Sequence, residues 1–178
     1  MCILGIDPGL NITGYGLVEA NLNFNPRILE AGVIKTTQKF SLSQKIGKIY
    51  QGVKKLVEEF HPDAIVLEEL YSHYRHPKTA ILMGHARGVI SLVAEEKQIP
   101  LIGYSSTRVK KAICGRGNAT KEQIQRMIQY LLGLEQTPQP KDVSDALALA
   151  LAHAHIVETD CHRLRKASKS QNLYFFKK

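Results

Sequence analysis

The chain has 178 residues, enough for one domain at roughly 100–200 residues per domain. Hydrophobic residues make up 44% and charged residues 22%, which excludes a wholly disordered polymer, and no apolar run approaches the ~18 residues of a membrane span. Lys and Arg total 24 against 16 acids, a formal net charge of +8 that favours a polyanionic partner.

Cys2 to Asp7 is an apolar run stopped by Pro8-Gly9, and it predicts the first strand. Ile12 to Glu19 predicts the second, where Gly9, Gly14 and Gly16 suggest close approach of another backbone. Arg27 to Thr36 reads as a third strand after an Asn-rich turn. Ile46, Ile49, Tyr50, Val53, Leu56, Val57 and Phe60 then follow the spacing of one buried helix face, closed by His61-Pro62-Asp63. Ala64 to Glu69 predicts a fourth strand. Lys78 to Lys97 predicts a long helix whose small residues, Ala80, Gly84, Gly88 and Ser91, make a face suited to close packing. Pro100 to Tyr104 reads as a fifth strand and Val109 to Cys114 as a short helix, with a loop at Gly115-Arg116-Gly117-Asn118. Thr120 to Leu132 is helical, and Asp142 to Glu158 is a last helix apolar almost all round, hence buried.

This order predicts an α/β fold, a mixed five-stranded sheet flanked by helices. The expected organisation is a domain over residues 1–158 and a basic, poorly patterned tail over 159–178, expected to be mobile. Cys2, Cys114 and Cys161 form no CxxC pair, and the first residues carry neither a basic leader nor a cleavage site. A reducing, cytoplasmic setting is expected.

Charge is unevenly spread. From Leu70 to Lys121 the acids are Glu95 and Glu96, against Arg75, Lys78, Arg87, Lys97, Arg108, Lys110, Lys111, Arg116 and Lys121. Solvated helix faces account for some of these residues; a nucleic-acid surface is the sharper reading.

Four acids occupy places suited to chemistry. Asp7 ends the first strand at a Gly-rich turn, Glu68 ends the fourth, and Asp142 and Asp145 lie one turn apart at the start of the last helix. Each also has a plainer reading. Asp7 satisfies donors of its own turn, Glu68 with Glu69 makes a solvated strand end, and Asp142 caps its helix with Asp145 in the first turn. Brought together, the four demand cations, because two carboxylates at ~4 Å repel by about 4 kcal/mol at an effective dielectric near 20. All-oxygen ligands suit Mg²⁺ or Mn²⁺ rather than zinc, and two such ions can drive phosphodiester hydrolysis. Acids that hold metal inside a basic protein are what a metal-dependent nuclease needs.

Gly5-Ile6-Asp7-Pro8-Gly9 with Thr13-Gly14-Tyr15-Gly16 resembles the opening of the RuvC family of bacterial Holliday junction resolvases. The likeness continues through Leu67-Glu68, Gly84-His85-Ala86-Arg87-Gly88-Val89, Val109-Lys110, Gly115-Arg116-Gly117-Asn118-Ala119-Thr120-Lys121 and Asp142-Val143-Ser144-Asp145-Ala146-Leu147-Ala148. It spans Cys2 to Val157. The resemblance implies a ribonuclease H-like fold, a homodimer and cooperation with the RuvA–RuvB branch-migration complex. Asp7, Glu68, Asp142 and Asp145 match the family's catalytic, metal-binding acids, with Mg²⁺ (or Mn²⁺), two per site. Tyr71 matches an aromatic that contacts bases near the junction centre, although a strand-end core tyrosine is the plainer alternative. Lys110 and Lys121 match residues that hold DNA near the scissile phosphate. Charge and position add Arg75, Lys111 and Arg116 as DNA-binding candidates. Glu69 departs from the pattern, since many relatives carry a neutral residue there.

The implied activity is paired, symmetric nicking of four-way DNA junctions in recombination and repair. Two rivals remain at this stage: an actin-like ATPase, whose phosphate loop also uses an Asp-Pro-Gly turn, and a non-catalytic junction-binding module.

Overall fold

The computed structural model describes residues 1–21, 24–69 and 77–175, with side-chain surroundings for all of these except 77–78 and 166–175. Strands β1 (Cys2–Asp7), β2 (Ile12–Glu19), β3 (Arg27–Lys35), β4 (Ala64–Glu68) and β5 (Leu101–Tyr104) form one sheet in the order β3-β2-β1-β4-β5. The first three strands are antiparallel, and β4 and β5 continue the sheet parallel to β1. The mixed five-stranded sheet expected from the sequence is therefore present.

Both sheet faces are covered, which is why β1 and β4 read as continuous apolar runs. On one face Leu4, Ile6, Leu17, Ile65 and Leu67 pack against α1 (Leu42–Phe60) and α2 (Pro77–Glu96). On the other, Ile3, Val18 and Val66 meet α3 (Ser106–Cys114), α4 (Lys121–Leu131) and α5 (Lys141–Phe175). In α5 the residues from Ala146 to Ala154 are buried, and the Tyr104 hydroxyl and His153 Nδ1 share a hydrogen bond of 2.8 Å that ties β5 to this helix.

Helix bounds differ from the sequence reading at several points, α3 beginning at Ser106 rather than Val109. Helix α1 begins at Leu42, because Ser41 and Gln44 form a reciprocal capping box ahead of the apolar stripe. The last helix does not stop at Glu158 but runs to Phe175. The small-residue face of α2 does not look into the core: the helix buries Ala86, Ile90, Val93 and Ala94 there instead. Ile90 and Val93 remove more apolar surface from water than glycines do. Gly84 and Gly88 are left with open space where a Cβ would stand, beside Ile81, Leu82 and Leu92, which are 63%, 43% and 50% exposed.

The glycines of β1 and β2 set the position of α5. A Cβ on Gly5 would lie 2.1 Å from the Ala146 carbonyl oxygen, and one on Gly14 would lie 2.1 Å from that of Asp142. Both obstacles are main chain and cannot swing aside. Gly5→Ala is therefore expected to lower stability by about 3 kcal/mol in urea unfolding. Gly47→Ala, exposed in α1 with nothing within 4 Å of the new methyl, should raise it by about 0.5–1 kcal/mol.

Candidate active site

Strand register brings two acids side by side. Ile6 of β1 pairs with Leu67 of β4, so Asp7 and Glu68, the next residues on parallel neighbours, end together at the same sheet edge. Alternation then separates Glu68 from Glu69. Glu68 shares the face of Val66, toward α5, whereas the Glu69 side chain lies over Gly103 on the opposite face, its Cγ 3.1 Å from where a Cβ would be. The main chain after β4 is fixed by the Glu69 amide, which donates to the Tyr104 carbonyl at 2.8 Å, and by Arg87, whose guanidinium donates to the Glu68 carbonyl. The sequence shows Arg87 as one more positive charge; its bond to a strand end is a tertiary contact with no local signal.

Helix α5 supplies the other two acids. Seated over Gly14 and Gly5, its first turns carry Asp142 and Asp145 toward the β1 terminus. The helix begins at Lys141, so Asp142 lies in the first turn rather than capping it. The plainer reading of Asp7 also fails. The turn after β1 is braced by Thr13, fully buried, whose hydroxyl donates to the Gly9 carbonyl at 2.7 Å, and among the described residues Asp7 accepts no hydrogen bond.

Burial, followed by the charges of Asp145, Asp142 and Glu68, pushes the Asp7 carboxyl up from 3.8 to about 7, with Lys121 opposing. The four acids thus share one electrostatic neighbourhood. Among the described residues no three His, Cys, Asp or Glu side chains already stand close enough to cage an ion, so the cluster is loose. An all-carboxylate set of this kind fits a hard divalent cation, which would relieve the repulsion the acids now share.

A cleft of about 210 Å³ opens beside Glu68 and Asp145, and Lys110 of α3 and Lys121 of α4 line it with Ser106 and Val109. The Lys121 ammonium is 3.5 Å from an Asp145 carboxylate oxygen. The two lysines the sequence singled out therefore flank the acids. Lys111 does not join them. It lines a separate groove between α3 and α5 with Arg108 and Arg163. Arg116 lies on a further depression against α4. Tyr71 and Arg75 lie outside the described residues.

The sheet order, with α5 laid across β1 and β2, defines the class: a ribonuclease H-like α/β fold with an acidic cleft at one sheet edge. The chain belongs to the RuvC family, since the family model described as "Crossover junction endodeoxyribonuclease RuvC" matches residues 3–153. A protein of that description from Rhodopirellula baltica is 46% identical over 152 residues, covering 84% of each chain. One from Moorella thermoacetica is 46% identical over 154 residues, covering 86% of this chain and 91% of its own. The structure of T. thermophilus RuvC in complex with a Holliday junction superposes with TM-score 0.86 at 34% identity, over 90% of this chain and 96% of that one. A yeast mitochondrial Holliday junction resolvase, 17% identical with TM-score 0.67 over 94% and 85% of the two chains, shares the fold.

The elevated Asp7 has a consequence for stability. In the unfolded chain Asp7 ionises near 3.8, and in the folded protein near 7, so stability falls as pH rises between those values. With divalent ions chelated, Asp7→Asn should be the more thermostable protein at pH 8 and show little advantage at pH 4. The gain is expected to be about 4 kcal/mol, because tenfold in an acid constant is about 1.4 kcal/mol. Melting curves across that range test it.

Proposed function

We propose that this protein is a structure-selective endodeoxyribonuclease that resolves four-way DNA junctions by hydrolysing two opposed phosphodiester bonds. One observation carries the reading: Asp7, Glu68, Asp142 and Asp145 share one electrostatic neighbourhood, with two lysines flanking it. Membership of a family described as crossover junction endodeoxyribonucleases supports it.

The four carboxylates are the residues that would hold divalent cations, Mg²⁺ or Mn²⁺, two per site. Bound there, such ions activate water and stabilise the leaving oxygen of a phosphodiester. Lys110 and Lys121 hold the scissile phosphate and offset its charge beside the acids. Water attacks phosphorus in line, the bond to the 3′ oxygen breaks, and the products carry 5′-phosphate and 3′-hydroxyl ends. The chain forms no covalent bond to DNA in this scheme.

A four-way junction has approximate two-fold symmetry, and a two-fold dimer presents equivalent sites to opposed strands. The outward face of α2 supports such a dimer. Gly84 and Gly88 permit close helix contact, while Ile81 and Leu92, on the same side of the helix, are apolar surface awaiting a partner. Cooperation with the RuvA–RuvB branch-migration complex and a cytoplasmic setting complete the reading. In keeping with that setting the three cysteines are unpaired, and among the described residues no helix is long and apolar enough to cross a membrane.

Two measurements test these statements. With Mg²⁺, the protein should nick a synthetic four-way junction and spare plain duplex, while Asp7→Asn binds the junction and cuts it about a thousandfold more slowly or less, several kcal/mol of transition-state stabilisation being lost. Undiminished cutting by that variant would discard the site, and nucleotide turnover without DNA cleavage would favour the ATPase rival. Separately, Gly88→Glu should sediment as a monomer and lose paired nicking.

A further inference from the structure

An open depression of about 710 Å³ lies between the end of α3 and the face of α4 turned away from the acidic cleft. Gln123, Arg126, Met127 and Tyr130 stand at positions i, i+3, i+4 and i+7, so they share one face of α4, and Cys114 and Arg116 close the other side. The cleft uses a different face of the same helix, that of Lys121 and Ile124. Helix α4 thus carries two surfaces, one toward the acids and one away from them.

The residues on the outer surface form an unusual set. Tyr130 is 80% exposed, the most exposed of the large hydrophobic side chains among the described residues. A lone exposed aromatic needs no function. This one stands in a depression with two guanidinium groups and no carboxylate in its lining. Among the described residues neither Arg116 nor Arg126 forms an ion pair. Gln123 holds the helix cap through its Oε1, which accepts from the Thr120 amide at 3.0 Å, leaving its NH₂ group toward solvent. The ligand such a surface fits is a polyanion with flat apolar faces. Duplex DNA offers phosphates and base edges but no free base face, since its bases are already stacked, and an acidic peptide offers planes only where it carries aromatic residues. Unpaired nucleotides offer both.

We propose that the α3–α4 depression binds an unpaired stretch of DNA strand, Tyr130 stacking on a base while Arg116 and Arg126 hold flanking phosphates. The inference rests on the nuclease reading for its source of strand. Lys121 at the cleft and Tyr130 at the depression are separated by roughly 13 Å along one helix and stand on opposite sides of it, so a strand leaving the cleft reaches this surface by passing around α4.

The test is fluorescence polarisation with the full chain and labelled oligothymidylate of about twelve nucleotides, compared with an abasic oligomer of equal charge and with duplex. Tyr130→Ala should weaken oligothymidylate binding about tenfold, Tyr130→Phe should retain it, and wild type should bind the abasic oligomer no better than Tyr130→Ala binds thymidylate. Arg126→Gln should weaken both single strands. Light-induced cross-linking to an iododeoxyuridine-substituted strand should map to Tyr130. Equal thymidylate binding by wild type and Tyr130→Ala overturns the proposal, as does a cross-link elsewhere. Displacement of the oligomer by polyglutamate as readily as by unlabelled thymidylate does so too. Junction cutting is scored in parallel: a Tyr130 effect in a protein that cuts no junction keeps this surface and removes the nuclease reading, and the converse does the reverse.

Discussion

Like charges do not gather unaided, and the arrangement of this molecule follows from forcing them to. Gly5 and Gly14 let the α5 main chain approach β1 and β2 more closely than any side chain would allow. The apolar residues of α5 from Ala146 to Ala154 are then buried against the sheet, and that burial draws the helix in regardless of what its first turn carries. What it carries is Asp142 and Asp145, delivered beside Asp7 and Glu68. Packing energy distributed over one long helix therefore stabilises an electrostatically unfavourable cluster at its end. Asp7, half-buried and faced by three acids, registers the cost as a raised pKa.

Such a cluster is poised for cations. Lys121 compensates it only in part, because its ammonium is largely exposed, standing 3.5 Å from Asp145 and acting on Asp7 more weakly than the acids do. The same lysine faces the cleft where a phosphate would sit. Its charge moderates the acids, and on the proposed reading it also attracts the phosphate backbone. The two strand ends are held independently of this balance. Thr13 braces the turn after β1, and Arg87 with the Glu69 amide fixes the exit of β4. Positions of the acids are therefore set by main-chain bonds and packing rather than by the charges themselves.

Much of this was legible in the sequence, for a physical reason. Strands buried on both faces show as apolar runs, and β1 and β4 end where those runs meet Asp7 and Glu68. Close approach of α5 was written in the glycines of β2, since a strand gives up side chains only where another backbone needs the space. Strand alternation could have separated Glu68 from Glu69 once the register with β1 was known, but that register is a tertiary fact. The small residues of α2 mark a face able to make a close contact, without saying which body makes it. The sheet took the larger side chains, and the glycines were left outward.

Helical geometry also sorts the basic residues, which charge counting alone treats as one patch. Lys110 and Lys111 are neighbours in sequence, yet about 100° of helix turn sends one into the cleft and the other to the groove beside α5. Lys121 and Arg126 on α4 diverge in the same way. A surface divided like this has distinct tasks available to it. On the proposed reading, charges beside the acids act on the phosphate being cut, while charges turned away hold strand that is not cut. The excess of positive charge is therefore better understood as several short tracks, separated by helix faces, than as one basic surface.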